Sequence, residues 1–239
     1  MMTYREALEI IMENNGGFAP LNLIYKNIWN YKDKSEIKGQ TPNATIRETL
    51  QRSKVFFPLG IGVWGLSKYK HILTAKETPI KTKAEKQERM HAKIQGMLLE
   101  LGNQRGLDTY TNDKSWIFNN KKLGSLCSLQ EIPPFTYNEI IQRSVKYVDV
   151  AWFSQDKYAF PVRICEVEDS TDFRAALTKF KELEFFNTEF YCISNDKRKA
   201  KFDTEINKNA FKSLINRVGF ISYEQIIATY EHEMKKIRF

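Results

Sequence analysis

The sequence predicts a mixed chain of α+β / α/β class in two parts, and three observations point to it. Residues 3–53 carry apolar side chains at helical intervals behind capping signals, and "VFFPLGIGVWGLSK" then reads as two short strands turned around Gly60 and Gly62. From Val145 onward, strand-like runs alternate with helical ones, as they do in a sheet covered by helices. Between these parts, residues 69–86 lose periodicity and are rich in Lys and Thr with Pro79, a linker composition. The expected division is therefore 1–70, a linker at 71–83, and 84–239.

The chain has 239 residues, 42% hydrophobic and 13% aromatic, enough for one or two ordinary cores and too apolar for a disordered protein. No apolar run approaches the roughly 20 residues of a membrane helix. The start "MMTYREALEI" also lacks a signal-peptide pattern, so a cytoplasmic protein with no membrane partner is expected. Cys127, Cys165 and Cys192 are odd in number, widely spaced and without a Cys-x-x-Cys pair; this argues against structural zinc or a disulfide framework and makes them core residues. A formal net charge of +8 suggests an anionic partner, most simply nucleic acid. Residues 1–89 hold 15 Lys/Arg against 9 Asp/Glu, whereas residues 90–239 hold 22 against 20, so the N-terminal part is the more basic surface.

The first helix is expected in "TYREALEIIMENNGG", where Thr3 and Glu6 have capping-box spacing, Ala7, Leu8, Ile10 and Ile11 repeat helically, and Gly16 and Gly17 end it. A second is expected in "APLNLIYKNIWNY", striped by Leu21, Ile24, Tyr25 and Ile28. In "GQTPNATIRETLQRS", Gly39 allows a turn, Thr41 can cap and Pro42 suits the first helical position, predicting a third helix to Ser53. Its outward face would carry Asn43, Arg47, Gln51 and Arg52. Three helices and a hairpin make the layout of a winged helix-turn-helix, whose third helix usually enters the DNA major groove; a small core or a dimerisation module would share that layout. The early "EAL" helix, "GQTPNATIRETL" and "FFPLGIGVWGL" resemble the HARE-type winged helix of chromatin factors and of fusions to bacterial restriction endonucleases, over about residues 2–68. That resemblance implies duplex DNA contacts from Thr41, Asn43, Arg47, Gln51 and Arg52.

In the C-terminal part, "KAEKQERMHAKIQGMLLELGNQRG" is a helix with Met90, Ile94, Met97, Leu98 and Leu101 on one stripe and Gly102 at its stop. His91 and Gln95 lie one turn apart on a single face. Residues 107–142 read as short strands and loops. "VKYVDVAWF" and "YAFPVRICEVE" read as neighbouring strands; on the second, Val162, Ile164, Glu166 and Glu168 share one face, and Arg163, Cys165 and Val167 the other. Apolar residues on both faces predict a central strand. Carboxylates leaving such a strand need arginines or a metal ion to compensate them. With Asp149 converging on Glu166 and Glu168, an oxygen-rich set would favour Mg²⁺ or Mn²⁺, although Glu-x-Glu at a strand end is also a common solvated edge. A helix "STDFRAALTKFKEL", a strand "EFYCIS" and closing helices complete the order.

"HAKIQGMLLELG", "YVDVAWF" and "ICEVEDST", in that order, resemble the PD-(D/E)XK fold of restriction endonucleases and related repair enzymes across residues 84–239. The resemblance implies a restriction-endonuclease-like mixed sheet, Asp149 and Glu166 as metal ligands, and Glu168 where the family usually carries Lys. Glu168 would then orient the attacking water or accept its proton. Val148 stands in place of the family's Pro. Gln95 would hold a water or a phosphate, with Glu100 as a less well-phased substitute, or else Gln95 and His91 satisfy polar groups under the sheet. Lys179 and Lys181 read first as a solvated helix face, with supply of the missing positive charge as the other reading. Lys197, Arg198, Lys199 and Lys201 form a basic loop after the last strand that can touch phosphates, a solvated loop being the other reading. The function expected is a Type II-like restriction endonuclease using Mg²⁺ (Mn²⁺ substituting) on double-stranded DNA, as a homodimer or DNA-induced dimer. A non-catalytic DNA-binding regulator and a structure-specific repair or junction nuclease are the alternatives.

Overall fold

The computed structural model describes residues 2–33, 41–60, 62–74, 82–156, 158–169 and 172–236. Helix α1 (Tyr4–Asn14) opens on a complete capping box, with the Glu6 N–H donating to Thr3 Oγ1 at 3.2 Å and the Thr3 N–H donating to Glu6 Oε2 at 2.7 Å. Two donors that a helix start leaves open are thereby satisfied. Gly16 and Gly17 reverse the chain at φ +80° and +93°, left-handed conformations that side chains avoid. They lead into strand β1 (Phe18–Pro20), which the helical periodicity does not announce. The second expected helix is α2 (Leu21–Asn27), extended by a 3₁₀ turn at Ile28–Asn30.

Helix α3 (Pro42–Arg52) carries Pro in its first turn, but Thr41 occupies the cap position without a side-chain hydrogen bond to the helix. Gly39 lies outside the described residues. Strands β2 (Phe56–Gly60) and β3 (Val63–Leu66) form the expected antiparallel hairpin, and β1 joins β3 to complete a three-stranded sheet in the order β1-β3-β2. The helices close over this sheet through Leu8, Met12, Ile24, Ile28, Ile46 and Leu50, all fully buried.

The segment expected as a linker is partly structured. Lys70–Leu73 forms a short helix α4, Thr74 bridges to Lys121, residues 75–81 lie outside the described set, and Thr82 caps α5 (Lys83–Gln104) with Glu85. Gly102, read as the helix stop, lies inside α5. A Cβ there would come within 2.6 Å of Thr109 Cγ2 and 2.7 Å of Trp152 Nε1, so this glycine serves close packing on the sheet. The chain instead turns at Gly106, φ +72°.

The second sheet has five strands in the order β10-β9-β8-β7-β4. They are β4 (Asp108–Tyr110), β7 (Val150–Phe153), β8 (Pro161–Val167), β9 (Glu189–Ser194) and β10 (Val218–Ser222). A small ribbon of β5 (Ile117–Phe118) and β6 (Lys121–Lys122) and helix α6 (Asn138–Arg143) fill the stretch after β4. Strands β8, β9 and β10 run parallel, while β7 is antiparallel to β8 and β4 to β7. Helix α7 (Arg174–Glu182) carries the crossover from β8 to β9, helix α8 (Lys199–Ile206) the next, and α9 (Tyr223–Lys236) ends the fold. Strand β10 falls where closing helices alone were expected.

Strand β8 is central and its faces alternate as expected. Cys165 and Val167 pack with α5 and α9, whereas Ile164 packs with Phe173, Leu177 and Phe180 of the α7 region. The three cysteines are buried and free. The run "VKYVDVAWF" becomes a strand only at Val150, because Val145–Tyr147 forms a 3₁₀ turn. The carbonyls of Lys146 and Tyr147 accept side-chain donors, Tyr110 Oη at 2.9 Å, Asn112 Nδ2 at 3.2 Å and Lys179 Nζ at 2.8 Å, rather than a ladder partner. No helix among the described residues is long and apolar enough to cross a membrane.

Candidate active site

The ends of β7 and β8 bring the acids together. Val150 pairs with Cys165, so Asp149, just before β7, reaches across the end of β8, where its Oδ2 accepts the Val167 N–H at 2.7 Å. That bond leaves Oδ1 facing His91 of α5, whose Nε2 lies 3.5 Å away. Glu166 is 3% exposed, and its Oε2 receives Lys179 Nζ at 2.7 Å. Its Oε1 has no hydrogen-bond partner among the described residues. Glu168 follows the strand; its N–H donates to Ile193 O at 2.8 Å, and its carbonyl accepts from Ser194 Oγ and from Arg198 Nη1, the latter at 2.5 Å. Asp149, Glu166, Glu168, Asp169, Asp113, His91 and Lys179 all line one cavity of about 470 Å³.

The charges here are far from balanced. Burial, then the negative charge of Asp149, pushes Glu166 well above the ordinary carboxylate range, while Lys179 pulls the other way. Burial works against a charged His91, but the hydrogen bond to Asp149 and the charges of Asp149, Asp113 and Asp169 outweigh it and raise the imidazole. Burial and the bond to Asp169 hold the Tyr223 phenol protonated, so it stays a donor, with Oη 2.5 Å from Asp169 Oδ1. Six acids, Glu88, Asp113, Asp149, Glu166, Glu168 and Asp169, line the cavity with one lysine and one histidine, an acid-rich set that suits a cation.

Of the expected site residues, Asp149, Glu166, Glu168 and His91 share the cavity. Gln95 is fully buried behind it and donates to Asp113 Oδ2 at 2.7 Å. Glu100 points elsewhere, accepting from Tyr230 Oη with Lys121 Nζ 3.5 Å away. Lys181 binds Glu184 and Ser213, each at 2.6 Å, away from the acids. Lys179, read as part of a solvated face, instead turns into the cavity. Asp113, Asp169, Trp116 and Tyr223 were not foreseen as site residues. Asp113 lies in "NDKSWIFNNKK", where no periodicity or spacing singles it out, whereas Asp169 is adjacent to the recognised acids in sequence.

The expected DNA-contacting residues divide into two groups. Thr41, Asn43, Arg47, Gln51 and Arg52 are all exposed. Arg47 Nε donates to Tyr25 Oη at 2.8 Å, and Arg47 and Gln51 line a cleft of about 770 Å³ shared with Asn103, Gln104 and Gln155. Arg52 pairs with Glu48 at 2.8 Å. The second basic stretch is a 3₁₀ turn at Asp196–Arg198 leading into α8, not an open loop. Lys197 is exposed, while Lys199 pairs with Asp203. Arg198 turns inward onto the Glu168 carbonyl and stacks 4.8 Å from the Phe173 ring centroid, bracing the backbone that carries the acids.

The family model described as Type II restriction enzyme NmeDI C-terminal domain matches residues 72–238, a span that contains both sheet and cavity. No curated protein and no solved structure matches the chain.

Proposed function

The chain belongs to the Type II restriction enzyme NmeDI C-terminal domain family, and we propose from this that it is a site-specific, metal-dependent endonuclease of the PD-(D/E)XK type. Residues 84–239 would form the nuclease domain. Residues 1–70 would form a winged helix that grips double-stranded DNA through Thr41, Asn43, Arg47, Gln51 and Arg52, with 71–83 as the connection. The observation that carries this reading is the convergence of Asp149, Glu166 and Glu168 on one cavity.

Asp149 and Glu166 would hold Mg²⁺, with Mn²⁺ substituting; the orphaned Glu166 Oε1 and the carboxylate-rich donor set fit a hard divalent cation. Such an ion, when bound, lowers the pKa of water and neutralises charge developing on a phosphodiester. Glu168 would orient the attacking water and accept its proton as that water's oxygen bonds to phosphorus and the bond from phosphorus to the leaving sugar oxygen breaks, that oxygen taking a proton from solvent. Lys179 would supply the positive charge absent at position 168, from a different element. Gln95 and His91 would position acids and water, and Lys197 and Lys199 would lie along the DNA path while Arg198 braces the backbone beneath them.

Cutting both strands calls for two active sites, so a homodimer or DNA-induced dimer is part of this reading. Light scattering with and without duplex DNA should show a species of twice the monomer mass; a monomer under both conditions would remove that part. The central test is incubation with a mixed-sequence plasmid and Mg²⁺, beside a folded Glu166→Ala variant. Discrete fragments from the wild type alone support the proposal. Cutting confined to branched substrates would make the protein a repair nuclease, and binding without metal-dependent cutting would leave a regulator.

A further inference from the structure

We propose that His91, Asp113 and Asp149 form a cation position that takes a divalent transition-metal ion in preference to Mg²⁺. It lies in the same cavity as Glu166 and Glu168. Its catalytic consequence rests on the endonuclease reading, but its occupancy does not.

The three residues each offer one ligand atom, and these atoms lie within 4.8 Å of one another. His91 Nε2 is 3.5 Å from Asp149 Oδ1 and 3.8 Å from Asp113 Oδ2. Ligands about 2.1 Å from a common ion sit about 3 Å apart when adjacent and about 4.2 Å apart when opposite, so these spacings accommodate an ion with little rearrangement. The sequence separates the three widely: α5, the turn after β4 and the start of β7. Only the packing of α5 across the sheet brings them to one point.

The two carboxylates are also held from behind. Val167 N–H fixes Asp149 through Oδ2, and Gln95 Nε2 fixes Asp113 at 2.7 Å. The far nitrogen of His91, Nδ1, faces Asp169 Oδ2 at 3.8 Å, and Asp169 is itself anchored by Tyr223 Oη. At that distance Asp169 acts on the imidazole through its charge and not through a hydrogen bond, favouring the basic ring that a metal ligand needs. Independently, Glu166 on the wall of the same cavity is 3% exposed and leaves Oε1 without a hydrogen-bond partner among the described residues, a buried carboxylate oxygen that a nearby cation would compensate. An imidazole in the donor set shifts preference from Mg²⁺, which favours oxygen, toward Mn²⁺, Co²⁺ and their neighbours.

The test is a Co²⁺ titration of the full chain, followed by visible absorption and calorimetry, with Mg²⁺ as competitor and plasmid cleavage recorded in parallel. The wild type should show Co²⁺ bands and bind Co²⁺ at least tenfold more tightly than Mg²⁺. His91→Ala should lose the bands, and Tyr223→Phe, which frees Asp169, should weaken Co²⁺ by up to about tenfold while its circular dichroism stays unchanged. Should His91→Ala fail to fold, His91→Asn and Tyr223→Phe carry the same comparison. Equal affinities for the two metals, or Co²⁺ bands that survive in the His91 variant, overturn the site. Bands that depend on His91 without any cleavage uphold the cation position and remove the endonuclease reading. Cleavage with unchanged bands in the His91 variant does the reverse.

Discussion

On the PD-(D/E)XK reading proposed above, Lys179 is the residue on which a glutamate at position 168 turns. Its ammonium lies 2.7 Å from Glu166 Oε2 and 2.8 Å from the Tyr147 carbonyl, so a cation reaches the acids although position 168 holds a glutamate. Lys179→Met should leave Glu166 still harder to ionise, because burial and Asp149 would then act unopposed. Plasmid cleavage is expected to fall about 10²–10³-fold, the size of loss seen when one preorganised electrostatic contact is removed, with partial retention in Lys179→Arg. Steady cutting by Lys179→Met, measured by fragment appearance, would show that the proposed reaction does not need the Lys179 charge. The acids themselves stood out in "ICEVEDST" because carboxylates leaving a strand with apolar residues on both faces need compensation, although a solvated strand end has the same spacing. Lys179 was not, since a lysine two-thirds of the way along an amphipathic helix looks the same whether it meets water or a buried carboxylate.

Among elements, α5 does most to build the site, carrying His91 and Gln95 on one side and packing on Trp152 with the other. Trp152 Nε1 donates to the Leu98 carbonyl at 3.2 Å, and Gly102 lets the helix come close enough for that contact. Gly102→Ala adds a methyl group 2.6 Å from Thr109 Cγ2 and 2.7 Å from Trp152 Nε1. Overpacking of this kind costs about 1–3 kcal/mol, against a gain of about 1 kcal/mol in helix propensity. A lower Tm by calorimetry is the expected outcome, and an unchanged or higher one would mean that α5 can shift. The apolar stripes of α1 and α5 and the capping box of α1 could be read directly because local hydrogen bonds and periodicity determine them, whereas the Thr82 cap of α5 lay in the stretch expected as a linker. Strands β1, β4 and β10 could not, because strands of three to five residues have too little pattern and exist only through partners distant in sequence.

At the scale of the molecule, the helical N-terminal unit meets the large sheet across polar contacts. Asn22 Nδ2 donates to the Leu107 carbonyl at 2.9 Å, and Lys26 Nζ lies 3.8 Å from the buried Asp108 Oδ2. Burial lifts the Asp108 pKa, against the opposing effects of Ser128, Lys26 and Gln155. Below the unfolded-state pKa both states hold the proton and the burial carries no penalty. Above the folded-state pKa the fold must bury a charge, so stability falls as pH rises between the two values. Asp108→Asn is therefore expected to raise Tm at neutral pH and to change it little in acid; the opposite pH trend in thermal melts would show that the Lys26 pair outweighs burial.

What the sequence determined by itself was local or compositional: the class of the fold, the capped helices, the central β8 strand, the buried cysteines, the basic N-terminal part and the cluster around Glu166. These follow from periodicity, from alternation and from the cost of burying charge. Tertiary structure alone decided that Asp113 and Asp169 join His91, that Lys179 turns inward, and that Arg198 braces a backbone carbonyl. Each of those outcomes depends on which helix crosses which strand end, and side chains brought together by packing need share no spacing in the chain.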